Sequence, residues 1–405
     1  MRSLWHHLSL LTCDDHRRVI ADGAVVTEAD TITWVGAAKE LPASLAPDRT
    51  IELAGRWLTP GLIDCHTHIV FGGPRAAEFA RRTAGTSYAD IAREGGGILN
   101  TVRATRAADV DELARRSEPR LRALLQEGVT TVEIKSGYGL DFESERRMLL
   151  AARALEQRLP VTVVTSLLAA HATPPEFKGR EDAFIELICG EWLPRFAQEK
   201  GLVDMVDAYC ESIAFSATQC DRLFTAAQAH GWPVRLHSEQ ISNIGGSRMA
   251  ARRGALACDH LEYAIEDDAI ALARAGTVAV LLPVAYYVLA DPKLPPIDHF
   301  RTHSVPMAVA SDANPGTAPG ASLQTAMNMA RRLFGMTSGE VLDGVTRNAA
   351  RALGLGDRHG QIAPGFRADF AAWSIETPDE LGYWIGFNPC SMVVRGGEIV
   401  LERDA

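Results

Sequence analysis

Leu58-Thr59-Pro60-Gly61-Leu62-Ile63-Asp64-Cys65-His66-Thr67-His68 runs from a Pro-Gly turn through a short apolar stretch into two histidines. The apolar stretch predicts a buried strand over Leu62–His68. Side chains alternate along a strand with period 2, so His66 and His68 leave its C-terminal end on the same side. Two imidazoles delivered together supply half of a divalent-metal site. Cys65 has the opposite facing and is expected to point away from them.

Seven further apolar runs follow. They are Val129–Lys135, Val161–Leu168, Val203–Tyr209, Val234–Ser238, Ala257–Leu261, Thr277–Leu282 and Met307–Ser311. Between them lie helical patterns, among them Phe142–Gln157, Thr218–His230 and Ala264–Ala275, punctuated by Gly or Pro. Eight strands alternating with helices predict an α/β chain built on a (β/α)8 TIM-type barrel, with its site at the strand C-termini. Residues 1–59 and 360–405 read instead as short β pieces. Neither end can bury a core alone, so the two are expected to combine into one small β-sandwich beside a barrel of residues 60–359.

A hydrophobic content of 47% and a charged content of 23% are those of a globular enzyme. No apolar run is long enough for a transmembrane helix, and the start lacks the apolar core of a signal peptide, so no membrane partner and a cytoplasmic location are expected. A net charge of −10 argues against nucleic acid. It leaves room for a small anionic substrate, which one arginine can hold. Seven cysteines without a CxxC pair read as reduced thiols.

A hydrolytic metal needs a few N or O ligands and one open position. In a barrel these come from the ends of different strands. His237 ends the fifth predicted strand and His260 the sixth, Asp312 follows the eighth, and His171 stands just past the third. His6, His7, His16, His230, His299, His303 and His359 have no such context and read as structural or surface residues.

The Pro-Gly-Leu-Ile-Asp-Cys-His-Thr-His strand, the later strand-end histidines, the Ser311-Asp312 pair and the tail Gly-Gln-Ile-Ala-Pro-Gly-Phe-Arg-Ala-Asp-Phe resemble the amidohydrolase superfamily. Three further motifs resemble the imidazolonepropionase family within it. They are Phe71-Gly72-Gly73-Pro74-Arg75 with Glu78-Phe79, Glu133-Ile134-Lys135-Ser136-Gly137-Tyr138-Gly139-Leu140, and Ser311-Asp312-Ala313-Asn314-Pro315-Gly316-Thr317.

The resemblance implies one divalent or trivalent metal per chain, zinc or iron, held by His66, His68, His237 and Asp312. Imidazole and carboxylate suit either ion. It implies hydrolysis of the ring amide of 4-imidazolone-5-propanoate to N-formimidoyl-L-glutamate, a step of histidine degradation, and a homodimer. The metal would bring the pKa of its water near neutrality, so that metal-bound hydroxide attacks the carbonyl. Asp312 and His260 are the expected catalytic pair, in proton transfer and oxyanion stabilisation. Arg75 is expected to hold the substrate's propanoate. Tyr138, between two glycines that let the loop approach a ligand, His171, Gln240, Asn314, Gly316 and Thr317 complete the implied pocket. The Asn314 side chain and the Gly316-Thr317 backbone offer donors to a carboxylate.

Related deaminases carry a proton-shuttling Glu three residues after the fifth-strand histidine. Here that position is Gln240, whose amide is neither acid nor base near neutral pH. Gln240 is therefore expected to bind the ring, with Glu239 pointing away. A deaminase on the same scaffold is the nearest rival. A binuclear cyclic amidase with a carboxylated lysine is another; of the five lysines, Lys135 alone ends a predicted strand. A barrel that binds a metabolite without catalysis is the rival from a different class. The Gly72-Gly73 pair permits the Phe71–Ser87 segment to move over a substrate.

Overall fold

The computed structural model describes residues 1–86 and 96–403. The chain opens with strands β1 (Arg2–Leu11), β2 (Val19–Glu28), β3 (Thr31–Ala37), β4 (Arg49–Glu52) and β5 (Trp57–Pro60). The middle carries β6 (Leu62–Asp64), β7 (Val129–Lys135), β8 (Thr162–Ala170), β9 (Met205–Cys210), β10 (Leu236–Ser238), β11 (Ala257–His260), β12 (Val278–Leu281) and β13 (Met307–Val309). The last strands are β14 (Phe370–Trp373), β15 (Cys390–Arg395) and β16 (Glu398–Glu402).

Strands β6 to β13 pair in chain order, each parallel to the next, as one eight-stranded sheet. Both faces of these strands are covered, which is why they read as nearly unbroken apolar runs rather than alternating ones. The covering helices start where the sequence supplies caps: Asp109 for Val110–Gln126, Asp141 for Phe142–Arg158 and Ser216 for Ala217–Ala229. The helix expected from Ala264 begins at Glu266, because the chain is still turning at Leu261 and Ile265.

The first barrel strand is shorter than its apolar run, since regular pairing with β7 ends at Asp64. The next residues bond to both neighbours. The Lys135 amide donates to the Thr67 carbonyl, the His68 amide to the Ala313 carbonyl, and the Asp312 amide to the His66 carbonyl, each at 3.0 Å. The barrel thus closes at the histidine pair itself.

The two chain ends meet in a second, mixed sheet of order β16-β15-β14-β5-β1-β2-β3, with β4 on β1. The expected sandwich is realised as one hydrogen-bonded sheet that curls until Thr31 of β3 bridges to Arg367 beside β14. It encloses its own core of Trp5, Leu10, Val25, Ile32, Leu58, Phe370 and Met392. Strand β14 serves two cores by alternation: Phe370 and Ala372 face this one, whereas Ala371 and Trp373 pack against the barrel. Gly128, at φ 94°, immediately precedes β7 and lies against Ala371 and Trp373, where any side chain would crowd them.

All seven cysteines are free. Among the described residues no helix is long and apolar enough to cross a membrane. Gly72 proves to be a close-packing position, with the Ala104 backbone lying where a Cβ would stand. The segment that follows carries the helix Ala76–Thr83, and its last residue, Ser87, lies outside the described residues.

Candidate metal centre and substrate site

His66 and His68 leave the closed seam with their Nε2 atoms 3.2 Å apart, and His237 at the middle of β10 brings its Nε2 to 3.4 Å from that of His68. Asp312 Oδ1 lies 3.4 Å from His66 Nε2 and 3.5 Å from His68 Nε2. Donors bound tetrahedrally at about 2.0–2.1 Å from one ion are themselves about 3.3 Å apart. The ring nitrogens of His66, His68 and His237 lie within 4.8 Å of one another and could hold a single metal ion, with Asp312 beside the first two. Burial, with neighbouring positive charge, holds the His66 and His68 imidazoles well below the usual histidine range, so both are neutral ligands.

Beneath the imidazoles lies a charged layer with no solvent exposure: Glu133, Lys135, Asp207, Arg235 and Asp259. Such burial is tolerable only because every charge is paired. Asp259 Oδ2 lies 3.0 Å from His66 Nδ1, and Asp207 Oδ2 lies 3.1 Å from His237 Nδ1. Asp207 hydrogen-bonds the His237 ring and so orients it, Asp259 lies against His66 Nδ1 without a hydrogen bond, and both rings keep Nε2 toward the centre. Lys135 Nζ donates to Glu133 at 2.7 Å and to Asp207 at 2.8 Å, while Arg235 grips Asp259 with Nη2 at 2.8 Å and the Cys65 carbonyl with Nη1 at 2.8 Å. Burial resists charge on Lys135, and Arg235 adds to that, but Asp207, Glu133 and Asp259 outweigh both and raise its pKa. A lysine held as ammonium among three carboxylates is not a carboxylated bridging ligand, which removes the binuclear reading of Lys135. Asp207, His237 and Asp259 also lie close enough to hold an ion, but Lys135 and Arg235 already neutralise those carboxylates.

Two neighbours on β11 serve the centre, which a regular pleat would forbid. Asp259 points inward to Arg235 and His66, so alternation would turn His260 outward. Left-handed backbone at His260 (φ 79°) and Leu261 (φ 74°) breaks the alternation instead. The His260 ring centroid then lies 5.9 Å from that of His66 and 5.6 Å from that of His237. Asp312 is also left-handed, at φ 52°.

His171 stacks on His68, with centroids 5.4 Å apart and an interplanar angle of 18°, and its Nδ1 lies 2.9 Å from the Gly137 carbonyl. Burial lowers its pKa to about 4. Tyr138 adjoins both rings, 5.8 Å from His68 and 5.4 Å from His171, and burial keeps its phenol protonated. The flanking glycines admit close packing rather than mere turning: His171 abuts Gly137, and the next helix abuts Gly139. The buried Glu145 carboxylate accepts from the amides of Gly137, Gly139 and Leu140 at 2.7–2.8 Å and so holds the Tyr138 loop. Gln240 accepts from the Tyr209 hydroxyl at 2.7 Å. Glu239 points away, as expected, to the Gly246 and Ser247 amides.

Arg75 is held by Glu78, Nε to Oε2 at 2.9 Å, and its guanidinium lies where a Cβ on Gly316 would stand. A largely apolar cavity of about 320 Å³ adjoins them, lined among others by Phe71, Pro74, Phe79 and Pro319. The Gly316 and Thr317 amides donate to Asn314 Oδ1 at 2.8 and 2.7 Å, and Asn314 Nδ2 donates to the Asp312 carbonyl at 2.7 Å. These donors therefore close a turn that braces Asp312. The seven histidines set aside from sequence lie outside the cluster; His7 pairs with Glu52 and His303 with Glu266.

A parallel barrel with histidines and an aspartate gathered at its strand ends defines a metal-type hydrolase, and a model of the amidohydrolase family matches residues 73–401. The fold agrees with those of a triazine hydrolase variant (TM-score 0.73, 17% identity, 99% of this chain and 95% of that one) and of the zinc complex of atrazine chlorohydrolase TrzN from Arthrobacter aurescens TC1 (TM-score 0.70, 18% identity, the same coverage). Imidazolonepropionase from Pseudomonas putida strain GB-1 is 55% identical over 398 residues, covering 98% of this chain and 99% of that one. Its counterpart from Cupriavidus taiwanensis is 55% identical over 396 residues, covering 98% and 95%. The chain belongs to the amidohydrolase family and, within it, to the imidazolonepropionases, hydrolases of histidine degradation.

Proposed function

We propose that the chain hydrolyses the ring amide of 4-imidazolone-5-propanoate to N-formimidoyl-L-glutamate, using one zinc or iron ion at His66, His68, His237 and Asp312. The observation that carries this reading is the convergence of the His66, His68 and His237 ring nitrogens, with Asp312 Oδ1 3.4 Å and 3.5 Å from the first two. Bound there, a metal polarises the ring carbonyl and lowers the pKa of water.

The protein groups divide the remaining work. Asp312 accepts the proton of the attacking water and returns it to the departing ring nitrogen. His260 donates a hydrogen bond to the carbonyl oxygen as negative charge develops on it. Arg75 binds the propanoate, with Tyr138 and the Asn314–Thr317 turn beside it, and Gln240 and His171 hold the ring. Placing the carboxylate and ring at separate fixed points orients the amide over the nucleophile, where much of the entropic part of a barrier is removed.

The test is product analysis of purified protein on 4-imidazolone-5-propanoate beside cytosine, guanine, dihydroorotate and a hydantoin, with and without metal removal. Metal-dependent formation of N-formimidoyl-L-glutamate alone is the expected result. Silence on that substrate with turnover of another ring would overturn the roles of Arg75 and Tyr138.

A further inference from the structure

Glu262 follows the two left-handed residues of β11 and is 2% exposed. The turn is pinned on both sides: the Leu261 amide donates to the Ser238 carbonyl at 3.2 Å and the Tyr263 amide to the Glu239 carbonyl at 2.7 Å. Its effect is to bring the Glu262 carboxyl toward His260 Nδ1. Glu262 Oε2 and His260 Nδ1 are both sealed from solvent, neither has a hydrogen-bond partner among the described residues, and they lie 4.0 Å apart. A buried carboxyl and a buried ring nitrogen left unpaired each cost stability, so two that face one another call for a reason. Consecutive left-handed non-glycine residues add a strain of about 1–3 kcal/mol each and persist only where the surrounding structure over-determines them.

We propose that Glu262 is a positioning residue for His260: its carboxyl engages Nδ1 and fixes the imidazole as the tautomer that presents Nε2–H to the ring carbonyl. The remaining gap closes by rotation about the terminal torsion of the glutamate, which is soft. Burial, reinforced by Asp291, Asp312 and Glu211, pushes the Glu262 carboxyl well above the usual range, so it is a neutral acid with an O–H to give. With that O–H aimed at Nδ1, the ring's own proton belongs on Nε2. The proposal rests on the reading of His260 as the group at the scissile carbonyl.

The experiment compares Glu262→Leu, Glu262→Gln, His260→Asn and the double variant H260N/E262L as metal-loaded proteins, with metal content and thermal unfolding measured on each. Glu262→Leu is expected to lower kcat by roughly 10–100-fold, the scale carried by outer hydrogen-bond partners of site histidines, with little change in KM. Glu262→Gln, whose amide also donates, restores most of it. The double variant is no slower than His260→Asn alone, because both substitutions remove one unit. A Glu262→Leu enzyme with undiminished kcat beside a crippled His260→Asn overturns the proposal alone. So do losses that multiply in the double variant. An undiminished His260→Asn removes the underlying reading and the proposal with it. If the leucine variant does not fold, ¹⁵N shifts of His260 in the zinc-loaded wild type still decide. A single Nε2–H tautomer is expected, and a tautomer mixture or an Nδ1–H ring overturns it.

Discussion

The backbone amide of Asp312 donates to the backbone carbonyl of His66 at 3.0 Å, so two residues with converging side chains also stitch the first barrel strand to the last. Ligand geometry at this centre is consequently a property of main-chain closure, with little left to side-chain choice. Asp312→Ala keeps that amide and should keep the fold. It should abolish turnover and lower metal content, whereas Gln240→Ala should chiefly raise KM. Steady-state kinetics with metal analysis separate the two, and an equal loss of kcat in both variants would reject the assigned roles.

Lys135 answers three buried carboxylates with one ammonium. Lys135→Met leaves Glu133, Asp207 and Asp259 with Arg235 as their only buried cation. Breaking a buried charge pair by removing one partner costs about 3–5 kcal/mol. Chemical denaturation should show a loss of that order, and the double variant K135M/E133Q should recover part of it by removing an anion along with the cation. A wild-type midpoint for Lys135→Met would mean that water reaches this layer.

Acid should destabilise the metal-stripped protein through its buried histidines. His66, His68, His171 and His260 are all held below the ordinary value of 6.5, His171 at about 4. Below pH 6.5 the unfolded chain therefore takes up protons that the folded chain refuses, and stability falls as pH falls. Each such histidine can contribute up to about 1.4 kcal/mol per pH unit within that window. Calorimetry at pH 7.5, 6.5 and 5.5 should show the transition moving down, with a shallower slope in His171→Asn. A transition independent of pH would contradict the burial of these rings as neutral groups.

Gly316 has no side chain where the Arg75 guanidinium lies. Gly316→Ala should displace that flexible arginine head at small cost in folding stability while weakening its grip on a carboxylate. KM for 4-imidazolone-5-propanoate should rise by roughly tenfold or more, since charge-assisted pairs are worth about 1.5–3 kcal/mol, with kcat less affected. An unchanged KM would take Arg75 out of substrate binding.

The strand-end histidines and Asp312 were legible because a catalytic position in a parallel barrel is a sequence position: it follows an apolar run. The eight runs themselves stood out for the same reason, being buried on both faces. What supports the centre was less visible. Glu133, Asp207, Arg235 and Asp259 are charges inside strands, and that anomaly is a signal, but their pairing depends on the stagger between strands, such as His237 opposite Asp259. Glu145 organises the Tyr138 loop from within a helix whose pattern explains it equally well as an ordinary first-turn acid. The left-handed turn at His260 and Leu261 has no glycine to announce it, so the role of Glu262 emerges only from the folded backbone.

The small sheet sets an order of events for a chain leaving the ribosome. Thr59 on β5 meets Ala371 on β14 across 312 residues, so the leading strands must wait, edges unpaired, until nearly all of the barrel has been synthesised. Loop-closure entropy alone makes the wait affordable, growing only with the logarithm of the intervening length. The exposed edges are the greater hazard, because an unpaired strand invites another nascent chain. A newborn molecule is therefore most vulnerable to intermolecular strand pairing late in translation, after its catalytic half has already been made.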